Sequence, residues 1–244
     1  MSETALIRLS RLTALRRELD TVANNVANVG TTGFKARRVH FQEYLKHEQA
    51  EPGTKPERPA SLVQARAGYS DLSRGAVEQT GKAFDVAIDG DAYFVVQTPE
   101  GERFTRDGAF NLDGLGRLVS ASGHPVLGVG GPLMLLPQDK EAAIGPDGTV
   151  STSQGIRGRL RLVRFETPQN LLPVGANLFR SDQRPTEPPV GIVRLIPAAL
   201  EKSNVRPVVE MSRLVEITRA YELVSSMMKQ DDDKNELQRL ADLA

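Results

Sequence analysis

Between Leu12 and Lys35 one kind of backbone gives way to another, and that change limits what the rest of the chain can do. Leu12, Leu15, Leu19, Val22 and Val26 recur every three or four residues, the spacing that lines one stripe of an α-helix. The stripe runs into Asn24, Asn25, Asn28, Gly30, Thr31, Thr32 and Gly33. Asn and Gly tolerate left-handed backbone angles, so the helix is predicted to stop near Asn28 to Gly30. The chain then turns sharply, and a positive φ is expected at Gly33. Taken alone, this stretch describes an ordinary helix with an Asn-rich end.

The far end of the chain repeats the pattern in reverse. Ser203-Asn204 offers an N-cap, and Pro207 stands where a first-turn proline is tolerated. Leu214, Ile217, Tyr221, Val224 and Met228 then recur at the same three-four spacing; the apolar register breaks at Asp231 to Lys234 and resumes with Leu237 and Leu240. Between the two helical ends the texture is different. Phe84, Val86 and Ile88 alternate with Asp85, Ala87 and Asp89, and short runs follow, punctuated by Asp89-Gly90, Asp107-Gly108, Asp113-Gly114 and Asp147-Gly148. Such spacing points to short strands joined by tight turns. The predicted fold class is therefore α+β: N- and C-terminal helices pair as a coiled-coil-like bundle, and an all-β domain lies between them. Residues 1–35 and 204–244 form the discontinuous helical domain, 83–203 the β domain, and 36–82, proline-rich and charged around Glu51 to Pro59, a linker or extended segment. Phe84, Ile88, Phe94, Phe110, Leu162 and Phe165 are the expected β core.

Composition narrows the chemistry. Over 244 residues, 31 Lys and Arg balance 31 Asp and Glu, so no global field draws nucleic acid or an anionic membrane. There is no cysteine, which excludes disulfides and thiolate chemistry, and no Trp. Residues Met1 to Arg8 lack the apolar region of a secretory signal, and the apolar stretch from Pro125 to Pro137, broken by Gly128, Gly130, Gly131 and Pro132, is too short to span a membrane. On these grounds alone the chain reads as a soluble cytoplasmic protein. Gly75 to Lys82 spaces its glycines by five residues where a phosphate loop needs four, and Ala83 replaces the Ser or Thr that would bind magnesium. His40, His47 and His124 are not at metal-ligand spacing. No catalytic site, metal site or cofactor site is predicted, although folding could still bring two carboxylates together as an acid pair.

Three ordered segments resemble the bacterial flagellar rod and hook family. They are Val22 to Lys35; Phe84 to Phe94 with Phe104-Thr-Arg-Asp-Gly-Ala-Phe110; and Leu200-Glu-Lys-Ser-Asn-Val205 with Glu210-Met211 and Arg219-Ala-Tyr221. The opening Leu9 to Asp20 is most similar to the F-type proximal-rod branch, with the distal-rod branch as the alternative. Ala92 stands where the family usually has Gly, and Gly30 where it usually has Asn. The resemblance implies a structural subunit rather than an enzyme, exported through the flagellar export apparatus without a cleaved signal and assembled helically, with copies of itself and other rod subunits, into the periplasmic rod that transmits torque. It also implies no nucleic-acid partner, no membrane insertion and no cofactor. The assembly interface would be Leu12, Leu15, Leu19, Val22 and Val26 with Leu214, Ile217, Tyr221, Val224 and Met228. The signature turn would be Asn24, Asn25, Asn28, Gly33 and Phe34. A secreted β-domain binding module and a hydrolase using an unrecognised carboxylate pair are the readings from other classes.

Overall fold

The three-four stripes become two long helices, α1 (Glu3–Ala27) and α2 (Pro207–Ala241). The computed structural model describes residues 3–46, 60–139, 141–189 and 191–241. The side chains of Phe41, Tyr44, Leu45, His47, Leu237 and Leu240, and the stretch Glu51 to Pro59, lie outside the described residues. The chain forms two units.

In the first unit α1 and α2 pack together, joined by the antiparallel pair β1 (Arg37–Lys46) and β2 (Ala60–Ser70). The helices run antiparallel: Arg8 reaches the carbonyl of Met227, Glu18 binds Arg213, and Asn25 binds Glu210. Along α2, Glu210, Ile217 and Val224 are buried, and Leu214, Tyr221 and Met228 half-buried between them. Opposite, Ala14, Val22 and Asn25 of α1 are buried.

The second unit comprises Asn28–Ala36 and Leu72–Val205. Its strands are β3 (Val77–Gln79), β4 (Val86–Asp89), β5 (Tyr93–Thr98), β6 (Gly101–Thr105) and a series of shorter pairings beyond them. A five-stranded antiparallel sheet orders Leu162–Val163, β5, β6, Leu178–Arg180 and Leu172–Gly175. Arg194–Pro197 pairs with β4, and Ala199–Glu201 with β3.

Alternation along β5 explains the core. Successive strand side chains point to opposite faces, so Phe94 and Val96 enter one apolar cluster with Val86, Ile88, Phe110, Leu118, Val126 and Leu195. Tyr93 and Val95 enter another with Phe104, Phe165, Leu171 and Phe179. The strand is thus buried on both faces. Edge-on aromatic pairs tighten each side: Phe94 with Phe110 at 5.0 Å between centroids, and Phe104 with Phe165 at 4.8 Å. Of the expected core, Ile88, Phe94, Phe110 and Phe165 are buried, while Phe84 and Leu162 pack half-buried against the first cluster. Three of the Asp-Gly turns share one device. Asp107, Asp113 and Asp147 each accept the backbone N–H two residues on, at 3.0, 2.9 and 3.1 Å.

The segment 36–82, read from the sequence as a linker or extended segment, carries the extended strands β1, β2 and β3. Residues 28–35, assigned above to the helical domain, fall in the β unit together with 204 and 205, because backbone and side-chain bonds fasten them there.

Candidate functional site

Turn chemistry after α1 creates the first part of the site. Asn28 closes the helix end: its carbonyl accepts Thr31 N–H at 3.2 Å and its Oδ1 accepts the Thr31 hydroxyl at 3.0 Å. Gly33 has φ +63° and donates its N–H to the carbonyl of Glu201 at 2.7 Å. A Cβ at Gly33 would meet the Arg106 carbonyl carbon and Asp107 nitrogen, each at 2.6 Å. Thr32 donates its hydroxyl to Asp107 at 2.6 Å and accepts Asn177 Nδ2 on its carbonyl. Phe34 packs with Ala36 and Val205 in a small apolar cluster, and Asn204 accepts Ala36 N–H at 2.7 Å.

Beneath the turn lies a buried charge triad. Lys35 Nζ donates to Glu201 Oε1 at 2.6 Å and to the Ser73 carbonyl at 2.7 Å. Arg106 Nε and Nη2 donate to Glu201 Oε2 at 3.0 and 2.8 Å, and its Nη1 to the carbonyls of Gly90 and Ala92. Gly75 N–H completes the shell on Oε1 at 3.0 Å. All three charged residues are at most 4 % exposed, so each depends on its partners. Burial pushes the Glu201 carboxyl upward, but Arg106 and Lys35 outweigh it and hold it below the usual carboxylate range. Burial raises Tyr93, under the Arg106 guanidinium, to about 12.

Lys35, Arg106 and Glu201 come one each from the three ordered segments found in the sequence. Those segments therefore meet at one node of the β unit. Sequence reasoning named the segments but missed this triad, whose members lie 166 and 95 positions apart.

In the helical unit, Asn25 is fully buried. Its Nδ2 donates to the Arg37 carbonyl at 2.9 Å and to Glu210 Oε2 at 3.0 Å, while its Oδ1 accepts Arg37 N–H at 2.8 Å. Arg38 Nη1 donates to Glu210 Oε1 at 2.5 Å. Asn24 is exposed. Of the stripe on α1, Val22 is buried and Leu12, Leu15, Leu19 and Val26 are half-buried. Glu210 and Arg38 were not among the expected site residues. The register held a signal for Glu210: it stands four residues before Leu214, on the apolar stripe of α2.

Clefts cross the β unit; one is edged by Asp147, Arg159, Arg161, Glu187 and Arg194, and another by Asp113, Asp139 and Glu141. Asp113 and Asp139 are ion-paired with Arg117 and Arg157, and Arg161 with Glu102. Among the described residues no His, Asp and Glu cluster could hold a metal, and no helix is long and apolar enough to cross a membrane.

A β unit inserted in sequence between two helices that pair with each other, with its ordered motifs bound to one another, is the organisation of a structural and assembly protein. Comparison with known proteins specifies which. Residues 6–35 match the family model described as flagella basal body rod protein, 87–152 the flagellar hook protein FlgE/F/G D1 domain, and 196–236 the flagellar basal body rod FlgEFG protein C-terminal region. The chain is 38 % identical to the flagellar basal-body rod protein FlgF of Caulobacter vibrioides, over 99 % of this chain and 97 % of that one. It is 36 % identical to FlgF of Mesorhizobium japonicum, over 94 and 93 %, and 32 % identical to FlgG of Buchnera aphidicola subsp. Schizaphis graminum, over 95 and 96 %. The chain belongs to the flagellar basal-body rod protein family and is of the FlgF type, a structural subunit of the rod.

Proposed function

We propose that the subunit builds the rod helically through α1 and α2, working in the periplasm after export by the flagellar apparatus without a cleaved signal, as a non-enzymatic carrier of torque. The observation that carries this reading is the second apolar face of α2. Its first face meets α1, yet Val208, Met211, Val215 and Leu223 lie on the other side, with Val208 77 % and Met211 58 % exposed. A soluble helix that needed only one partner would be polar there. Copies of the same chain and neighbouring rod subunits would cover it, burying both faces in a coiled-coil-like tube. Leu12, Leu15, Leu19, Val22 and Val26 with Leu214, Ile217, Tyr221, Val224 and Met228 form the seam within each subunit, and the signature turn passes the chain from that seam to the β domain.

Met211→Asp combined with Val215→Asp tests the proposal. Both positions face solvent in the single chain, so its thermal unfolding should match wild type. Incorporation into purified basal bodies should be lost, because two carboxylates would be buried without partners. Normal incorporation would overturn the role given to this face.

A further inference from the structure

The Ser203-Asn204 pair, expected to cap α2, is spent elsewhere. α2 begins at Pro207, and the Ser203 hydroxyl accepts the Val205 N–H at 3.2 Å. The Asn204 side chain reaches across to two other stretches of the β unit. Its Oδ1 accepts Ala36 N–H at 2.7 Å, and its Nδ2 donates to the Ser73 carbonyl at 3.0 Å and to the Ser73 hydroxyl at 3.1 Å. Its backbone N–H donates to the Phe34 carbonyl at 3.4 Å. A planar amide offers an acceptor and two donors from fixed positions, so one short side chain serves both neighbours.

These bonds fall at particular places on the chain's path. The β unit comprises Asn28–Ala36 and Leu72–Val205, so residues 36, 72 and 205 are points where the chain passes into or out of it. Asn204 acts within one residue of each, at Ala36, at Ser73 and from its own position before Val205. The three segments are already close beneath it. Phe34, Ala36 and Val205 share an apolar cluster, the Ser73 carbonyl also accepts Lys35 Nζ at 2.7 Å, and Lys202 N–H donates to the Ala76 carbonyl at 2.8 Å. A Cβ on Gly75 would lie 1.8 Å from the Lys202 carbonyl oxygen, so these backbones approach as only glycine permits. The fourth crossing, at Asn28, is closed within its own turn by Thr31.

We propose that Asn204 is a positioning residue, a clasp that gathers three of the chain's crossings into one stem whose segments open together. Load that reaches these covalent crossings is then shared among three segments rather than taken by each alone. That consequence rests on the torque-bearing role proposed above; the clasp itself does not.

The test is amide hydrogen exchange, residue by residue, on the intact free chain for wild type, Asn204→Ala and Asn204→Asp, with thermal unfolding alongside. Each segment supplies a reporter: Ala36, whose N–H meets the clasp, and Gly75 and Lys202, whose N–H groups bond to Glu201 and Ala76 instead. In wild type the three should exchange through a common opening. In Asn204→Ala, Gly75 and Lys202 should exchange about 5–10-fold faster, although neither N–H touches Asn204. The melting temperature should fall by only a few degrees, since Asn204 is partly open to solvent. Asn204→Asp keeps the acceptor for Ala36 and removes the donors to Ser73, so it should protect Ala36 as wild type does yet release Gly75. Thr152→Ala cuts hydrogen bonds elsewhere in the β unit and should leave all three reporters unchanged. Acceleration confined to Ala36 would make Asn204 an ordinary local bond and overturn the proposal. So would equal acceleration of the reporters in Thr152→Ala. Either result leaves the incorporation test at Met211 and Val215 untouched, so the clasp and the assembly reading fail separately.

Discussion

Replacing Gly33 by Ala adds one carbon where the fold leaves least room for it. Gly33 has φ +63°, and a left-handed angle costs an L-residue about 1–2 kcal/mol. The new Cβ would sit 2.6–2.7 Å from the Arg106 carbonyl group and the Asp107 nitrogen. These are backbone atoms, which cannot swing aside as a flexible side chain can, and overpacking of this kind costs about 1–3 kcal/mol. The sum, roughly 2–5 kcal/mol, is a large part of a stability of about 5–15 kcal/mol. The loss falls on the β unit itself rather than only on the chain's exit from α1, because Gly33, Arg106 and Asp107 share that unit. Gly30 supplies the control. It stands in the same turn, has no atom within 4 Å of an added Cβ, and should tolerate Ala within about 0.5 kcal/mol. Urea unfolding of both variants, followed by tyrosine fluorescence, measures the difference. Equal stabilities for Gly33→Ala and Gly30→Ala would refute the argument that the turn is sterically locked on the Arg106-Asp107 peptide.

Further outcomes follow from the buried charges. Glu210→Ala leaves Arg38 and Asn25 without their shared acceptor and should cost about 2 kcal/mol, seen as faster amide exchange in the first turns of α2. Because Arg106 and Lys35 hold Glu201 below the usual carboxylate range, its ion pairs stabilise the fold at neutral pH, and the contribution should fade as pH drops through its folded pKa. Acid titration of Glu201→Gln should lack that step and start from a lower stability; an unchanged acid profile would argue against the triad. Tyr93 is raised to about 12, so the fold should weaken as pH rises from about 10 toward 12, where the unfolded chain ionises first. Tyr93→Phe should remove the latest step of an alkaline absorbance titration, and a curve that keeps this step would place the shifted phenol elsewhere.

What the sequence revealed depends on how local each signal was. The apolar stripes of α1 and α2 span many turns, so three-four spacing made both helices readable, and the Asn- and Gly-rich segment marked the end of the first. The β unit was readable as a class but not as a register. Pairings such as Asn111–Leu112 with Leu118–Val119 are too short for a period of two to stand out. The β1–β2 pair was hidden differently: a bulge between Arg38 and His40 breaks the alternation that would have marked β1. Nothing local in the sequence pairs Lys35, Arg106 and Glu201, since only the folded chain brings them together. Glu210 was the more accessible case, a carboxylate on an otherwise apolar stripe, and such a residue calls for buried partners.

Assembly through the terminal helices is tested most directly by hydrogen exchange along α2, compared between the free chain and purified basal bodies. Burial of its second face by neighbours should slow exchange from Pro207 onward on assembly, most at Val208, Met211 and Val215, while the strands β5 and β6 change little. Equal protection of α2 in the free and assembled states would mean that the helical pair is already complete within one chain, and would contradict the account.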